Sequence, residues 1–248
     1  MSETTIRGLL FDKDGTLFDF NASWMTVVDQ TLAALARSEA EADAMAAAVG
    51  YDRPNRRFLP GSIVVAGAVD ESAHVWAQHR PDLGVAKIED LAIQIVDRAV
   101  AEGALVPAVP DLPGLMRRLV ATGYTLGIAT HDSEAAAVDQ IGRWGLLDAF
   151  DFIAGYDSGH GLKPGPGMMH AFCTMTGLRA PECAMIGDSV HDLGVAPSSG
   201  AALAIGVLTG PAGRSDLEPH ADHVLDSIGE LPLLLQGLGI APGEVGNR

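Results

Sequence analysis

Lysine is scarce in this 248-residue chain: only Lys13, Lys87 and Lys163 are present. With arginine included, 16 basic residues face 32 acidic ones, a net charge of −16. Such a surface repels phosphate backbones, which excludes nucleic acid as a partner. It does not exclude a small anionic ligand, because one bound metal ion reverses the sign of the local field. Cysteine is also scarce. Cys173 and Cys183 stand in neither a metal-ligand nor a redox spacing, so buried free thiols in a reducing compartment are expected. No apolar run is long enough to cross a bilayer, and no membrane partner is expected. The opening Met1-Ser2-Glu3-Thr4-Thr5 has neither the basic start nor the apolar core of a secretion signal, and a soluble cytoplasmic protein is expected. What remains is globular in composition, with 48% hydrophobic and 19% charged residues, enough for one large domain or two modest ones.

The most informative segment is Phe11-Asp12-Lys13-Asp14-Gly15-Thr16-Leu17, directly after the apolar run Ile6 to Leu10. Two carboxylates one residue apart at the end of a buried strand are costly, because like charges repel and charge is penalised beside a core. A divalent cation and a pair of catalytic roles would explain both; a strand-ending Asp-x-Asp-Gly turn is the plainer alternative.

Further strands are expected at Tyr124–Thr130, Phe150–Ala154, Ala184–Ile186 and Ala201–Val207. Helical patterns lie between them at Pro113–Ala121, Ser133–Trp144, Gly167–Thr176 and Asp192–Ser198. This alternation predicts an α/β fold, a Rossmann-like parallel sheet with helical crossovers. The stretch from Phe20 to Leu105 breaks it with helical patterns at Ser23–Ala36, Glu39–Val49, Val69–His79 and Lys87–Glu102. We therefore expect a sheet domain of residues 1–19 and 106–235, an inserted helical domain of residues 20–105, and a frayed Gly/Pro-rich tail over 236–248.

Asp12 and Asp14 end the first strand, Thr130 the second, and Asp188 the fourth. Ligands of open α/β sheets bind outside the carboxyl ends of the strands, so these residues should converge on one crevice. Lys163, in the loop Gly159 to Pro166, can reach the same place. Each residue alone has a plainer reading: a strand-end hydroxyl, a solvated loop cation, a turn or helix cap.

Together these motifs resemble the haloacid dehalogenase-like (HAD) hydrolase superfamily, whose four motifs would be Asp12-Lys13-Asp14-Gly15-Thr16-Leu17, Thr130, Lys163-Pro164 and Gly187-Asp188-Ser189-Val190-His191-Asp192. The resemblance covers residues 6 to about 235 and is greatest to the phosphoglycolate phosphatase-like branch, whose helical cap occupies the position of the 20–105 insert. It implies a Mg²⁺-dependent phosphatase of a small phosphorylated metabolite. Asp12 would be the nucleophile, giving an aspartyl-phosphate, and Asp14 the general acid and base. Mg²⁺ would be held by the Asp12 and Asp188 carboxylates and the Asp14 backbone carbonyl. Thr130 and Lys163 would hold the transferring phosphoryl group. Gly15 would turn backbone N–H groups toward the phosphate, and Thr16 would orient Asp14. Asp192 is either a metal anchor or a helix-start residue.

The same resemblance leaves a phosphomutase, a phosphonatase and a non-catalytic binding protein as alternatives. Substrate choice would fall to the cap, whose best polar cluster contains Arg53, Arg56 and Arg57. These either recognise a second anionic group or pair with nearby acids. His131 either contacts the leaving group or caps the helix starting near Ser133. Lys13 either pairs with a neighbouring acid or points away from the crevice.

Overall fold

The computed structural model describes residues 5–59, 61–66 and 69–238. Most of the expected tail lies outside the described residues, as does Pro60 of Pro60-Gly61-Ser62, which reads as a turn in the sequence. In chain order the elements begin with β1 (Gly8–Phe11), α1 (Phe20–Leu35) and α2 (Glu39–Ala48). A short ribbon follows, β2 (Tyr51–Asp52) and β3 (Arg57–Phe58), then α3 (Ile63–Ala66), α4 (Val69–His79) and α5 (Val85–Ala101). The chain continues through α6 (Leu112–Ala121), β4 (Thr125–Ala129), α7 (Glu134–Arg143), β5 (Phe152–Ala154) and α8 (Gly167–Thr176). It closes with β6 (Cys183–Gly187), α9 (Val190–Leu193), α10 (Val195–Ser199), β7 (Leu203–Val207), α11 (Arg214–Leu217), β8 (His223–Leu225) and α12 (Leu231–Gly237). No helix among the described residues is long and apolar enough to cross a membrane.

Two compact units result: residues up to Phe18 together with those from Pro107 onward, and Asp19–Val106. In the first, six strands pair in the order β5-β4-β1-β6-β7-β8, all parallel. The direction of strand addition reverses at β1, with β4 and β5 on one side and β6 to β8 on the other. Phe11 lies level with Ile128 of β4 and Ile186 of β6. The residues following these three strands therefore emerge side by side at the reversal point, where α/β sheets bind ligands. Leu10, Met185 and Ala204 of the sheet bury against Met168, Met169 and Phe172 of α8.

The second unit is helical, with its own core of Phe20, Leu32, Leu35, Met45, Tyr51, Phe58, Trp76 and Ile88. Its helices start where the sequence supplies caps: the Asp19 side chain accepts from Ala22 N and that of Ser38 from Glu41 N. On α5, Ile88, Ala92, Ile95 and Ala99 form the buried stripe.

Three features differ from the sequence expectation. The β2–β3 ribbon interrupts a region expected to be helical; each strand has two residues, too few for a periodic signal. The edge strand β8 was not anticipated, because its three half-buried residues carry no apolar run. The helix expected over Asp192–Ser198 is two, α9 and α10. Pro197 has no N–H to give to Leu193 O and its ring would clash there, whereas it is tolerated in the first turn of a helix beginning at Val195.

Phe172 is wholly buried at the centre of the α8–sheet contact. Phe172→Ala is expected to destabilise the sheet unit by about 3–5 kcal/mol, read from the urea midpoint of its unfolding. A loss under about 1 kcal/mol would show that the contact relaxes and does not hold the layer.

Candidate active site

Asp12 follows β1, and its N–H donates to Ile186 O at 2.8 Å, fixing it against β6. Asp188 follows β6 and Thr130 follows β4. Lys163 comes from the loop before α8. All four are buried, as is Asp192 on α9. The Lys163 ammonium is the hub: its Nζ lies 2.6 Å from Asp12 Oδ1, 2.6 Å from Asp192 Oδ1 and 2.9 Å from Ala129 O. Asp12, Asp188 and Asp192 each bring a carboxylate oxygen within 4.8 Å of the others.

Three carboxylates against one ammonium, out of water, leave an excess of negative charge. Burial pushes the Asp12 carboxyl up to about 7 against the opposing pull of Lys163. Asp188 is raised well above the carboxylate range by burial, with Asp12 and Asp192 adding to it. Burial works against the Lys163 ammonium, yet Asp12 and Asp192 hold it above the ordinary lysine value. A divalent cation would relieve this imbalance, and the donors suit one. Asp12 Oδ2 is buried without a hydrogen-bond partner, and an all-oxygen set fits a hard ion such as Mg²⁺.

Asp192 takes the helix-start position of its two expected readings. One oxygen, Oδ2, accepts from Ser189 N at 3.0 Å and from Ser189 Oγ, closing a capping box at the start of α9. The other faces Lys163, so Asp192 is committed to the helix and the ammonium. The Asp14 carboxylate lies outside the acidic cluster, in an ion pair with Lys13. Lys13 points inward: it is 0% exposed, with Asp132 Oδ2 at 2.9 Å and Gln140 Oε1 at 2.6 Å.

Thr130 N–H donates to Ala154 O, and its Oγ1 accepts from Asp132 N at 3.1 Å. A hydroxyl that accepts in this way keeps its own proton to donate.

Gly15 makes the expected turn, with φ +91°. Its own N–H donates to Phe18 O at 2.7 Å and the Leu17 N–H donates to Lys13 O, so those two donors are used inside the turn. The glycine also permits close approach, because a Cβ there would overlap the Asp188 carboxylate. The expectation for Thr16 needs correction. Thr16 Oγ1 is buried and makes no hydrogen bond, so it does not orient Asp14; Lys13 contacts Asp14 instead.

His131 does not cap α7, whose cap is Ser133, accepting from Ala136 N. Its ring stands 6.3 Å from that of His191. Arg53 pairs with Asp29, Glu39 and Asp43, Arg56 with Asp29, and Arg57 with Asp52, all within the helical unit. Their charge is balanced locally, as in the acid-pairing alternative. Cys183 is buried as expected, but Cys173 is only partly so; both are free, their Sγ atoms 3.8 Å apart.

The sequence reading missed the loop after β7. Thr209 Oγ1 donates to Gly15 O at 2.6 Å. A Cβ at Gly210 would overlap Asp188 Oδ2. Gly15 and Gly210 thus close on the same carboxylate. The available signal was the Leu208-Thr209-Gly210 step after the apolar run ending at Val207, another strand end on the same edge.

Comparison with known proteins agrees with this arrangement. A family model described as haloacid dehalogenase-like hydrolase matches residues 6–200. The chain belongs to that family. It is 27% identical over 238 residues to the plasmid phosphoglycolate phosphatase of Cupriavidus necator, covering 94% of this chain and 95% of the relative. It is 38% identical over 126 residues to the phosphoglycolate phosphatase of Chromobacterium violaceum, covering 50% of this chain and 54% of the relative. Among solved structures, a HAD family hydrolase from Deinococcus radiodurans R1 superposes with a TM-score of 0.70 at 21% identity, covering 96% of this chain and 98% of that one. At that identity the likeness concerns the fold.

If Asp188 is held for a cation by the two glycines, Gly210→Ala displaces it. Thermal melts with and without MgCl₂ are expected to show stabilisation by Mg²⁺ in the native enzyme, and its loss in Gly210→Ala and Asp188→Asn. Equal Mg²⁺ stabilisation in all three would remove Asp188 from the cation site.

Proposed function

We propose that this enzyme, a hydrolase of the phosphatase kind, cleaves a small phosphate monoester through an aspartyl-phosphate on Asp12, with Mg²⁺ as cofactor. The observation that carries this reading is the division of labour at Asp12. One oxygen is held by Lys163, and the other is buried without a partner, aligned for use. The Asp12 carboxylate attacks phosphorus, the bond from phosphorus to the ester oxygen breaks, and Asp14 gives its proton to the departing alkoxide. Asp14 then takes a proton from the water that attacks the aspartyl-phosphate, releasing inorganic phosphate and restoring Asp12. Lys163 and the Thr130 hydroxyl offset charge on the phosphoryl oxygens, the dominant contribution in phosphoryl transfer. Mg²⁺, held by Asp12, Asp188 and the Asp14 carbonyl, would supply positive charge between two anionic partners that otherwise repel. Asp192 supports this chemistry by keeping Lys163 in place.

The substrate proposed is a small phosphorylated metabolite, with phosphoglycolate first among candidates because relatives that cover most of the chain carry that name. In this reading residues 1–19 and 106–235 form the catalytic core and the helical unit is the cap that selects substrate. The free thiols support a reducing, cytoplasmic setting.

The test is phosphate release from phosphoglycolate, sugar phosphates and nucleoside monophosphates, with Mg²⁺ and with EDTA. Metal-dependent release from at least one ester is expected. Asp12→Asn should lower kcat by at least about 10³-fold, and Lys163→Met by about 10²–10³-fold, the range seen when one charge-stabilising donor is removed. Turnover that survives Asp12→Asn would overturn the nucleophile assignment.

A further inference from the structure

Lys13 is a costly residue in the sheet unit. An ammonium taken fully out of water loses several kcal/mol of solvation, and an apolar side chain of the same size would fill the space without that loss. Its surroundings offset the cost with acceptors from three separate segments: the neighbouring Asp14 carboxylate, Asp132 after β4, and Gln140 on α7. Burial works against the charge, yet Asp132 and Asp14 hold it above the ordinary lysine value. An ammonium has three N–H donors to give to such acceptors.

Two of those acceptors bear directly on the chemistry. Contact at Asp14 Oδ2 fixes the rotation of that carboxylate and so the direction of its other oxygen. Asp132 donates its N–H to Thr130 Oγ1, so the segment that Lys13 grips also carries the phosphoryl-binding hydroxyl. The Thr16 side chain, the other group placed to orient Asp14, makes no hydrogen bond through its Oγ1.

We propose that Lys13 is a positioning residue: it ties the loop after β1 to the loop after β4 and holds Asp14 in the orientation from which it serves the leaving group. The inference rests on the phosphatase reading above, with Asp14 as proton donor. It concerns Lys13 acting through Asp14, and not contact between Lys13 and substrate.

A structural role and a positioning role separate on the leaving group. An alkoxide needs a proton as it departs, whereas p-nitrophenolate leaves without one. kcat/KM reports the steps up to the first irreversible one, here transfer to Asp12. Lys13→Met is expected to lower kcat/KM about 10²-fold on an alkyl ester such as phosphoglycolate, with a loss at least tenfold smaller on p-nitrophenyl phosphate. In an Asp14→Asn background, Lys13→Met should add less than about threefold on the alkyl ester, because residues acting through one group are not additive. Asp132→Asn removes one of the negative charges that hold the ammonium; it should show the same ester selectivity with a smaller loss, and it carries the test if Lys13→Met does not fold. Equal losses on both esters, no loss on either, or additive losses with Asp14→Asn would overturn the proposal. A native enzyme that hydrolyses neither ester would overturn the phosphatase reading itself, and the role of Lys13 with it.

Discussion

The site depends on one ammonium placed between acids. Asp12 and Asp188 leave neighbouring strands at the same level, and Asp192 arrives from the helix that follows, so the sheet register forces three carboxylates together out of water. Without Lys163 that grouping would cost more than the surrounding packing returns. With it, Asp12 is held on one side and Asp192 on the other, and the loop before α8 is tethered to the end of β4 through Ala129 O. The orientation of Asp12, the site's charge balance and the path of a long loop are therefore one arrangement. Removing any member would disturb the other two.

This explains how so acidic a chain uses its few lysines. Two of the three are buried beneath the loops that follow β1 and β4, and the third is exposed. Arginine is used differently. In the helical unit Arg53, Arg56 and Arg57 form ion pairs with exposed or half-exposed acids, contacts that contribute little once solvent screens them. The excess negative charge is left on the surface, and the positive charge of greatest consequence lies inside, where the dielectric is low.

Much of this was legible in the sequence, because strand ends are readable. Apolar runs beginning at Ile6, Tyr124 and Ala184 mark strands, and the polar residue at or just beyond the end of each is easy to name. Asp12, Thr130 and Asp188 were found that way. What escaped lacks such a signal. The β8 edge and the two-residue β2 and β3 are too short for periodicity. Gly210 matters because of what a Cβ would strike, a fact of three dimensions. For Lys13 the sequence left two directions open, and only packing decides that it turns inward to Asp132 and Gln140. The N–H of Gly15 looked available for a ligand until the turn was seen to use it. Motif spacing identifies which side chains meet, while the disposition of backbone donors and the direction of a flexible side chain depend on the completed fold.

The strand order also sets a timetable for synthesis. β1 leaves the ribosome well before its neighbours, β4, beginning at Thr125, and β6, beginning at Cys183. The whole helical unit and α6 must be made before β1 gains one neighbour, and β5 and α8 as well before it gains both. The helical unit needs no such delay, since its main core draws only on residues between Phe20 and Ala92. The nascent chain thus carries an apolar N-terminal strand without a sheet while the insert behind it already has everything required to fold. During that interval the Asp12–Asp14 loop has none of its eventual partners from β4, the Lys163 loop or β6, and the chemistry of the site is the last property the growing polypeptide acquires.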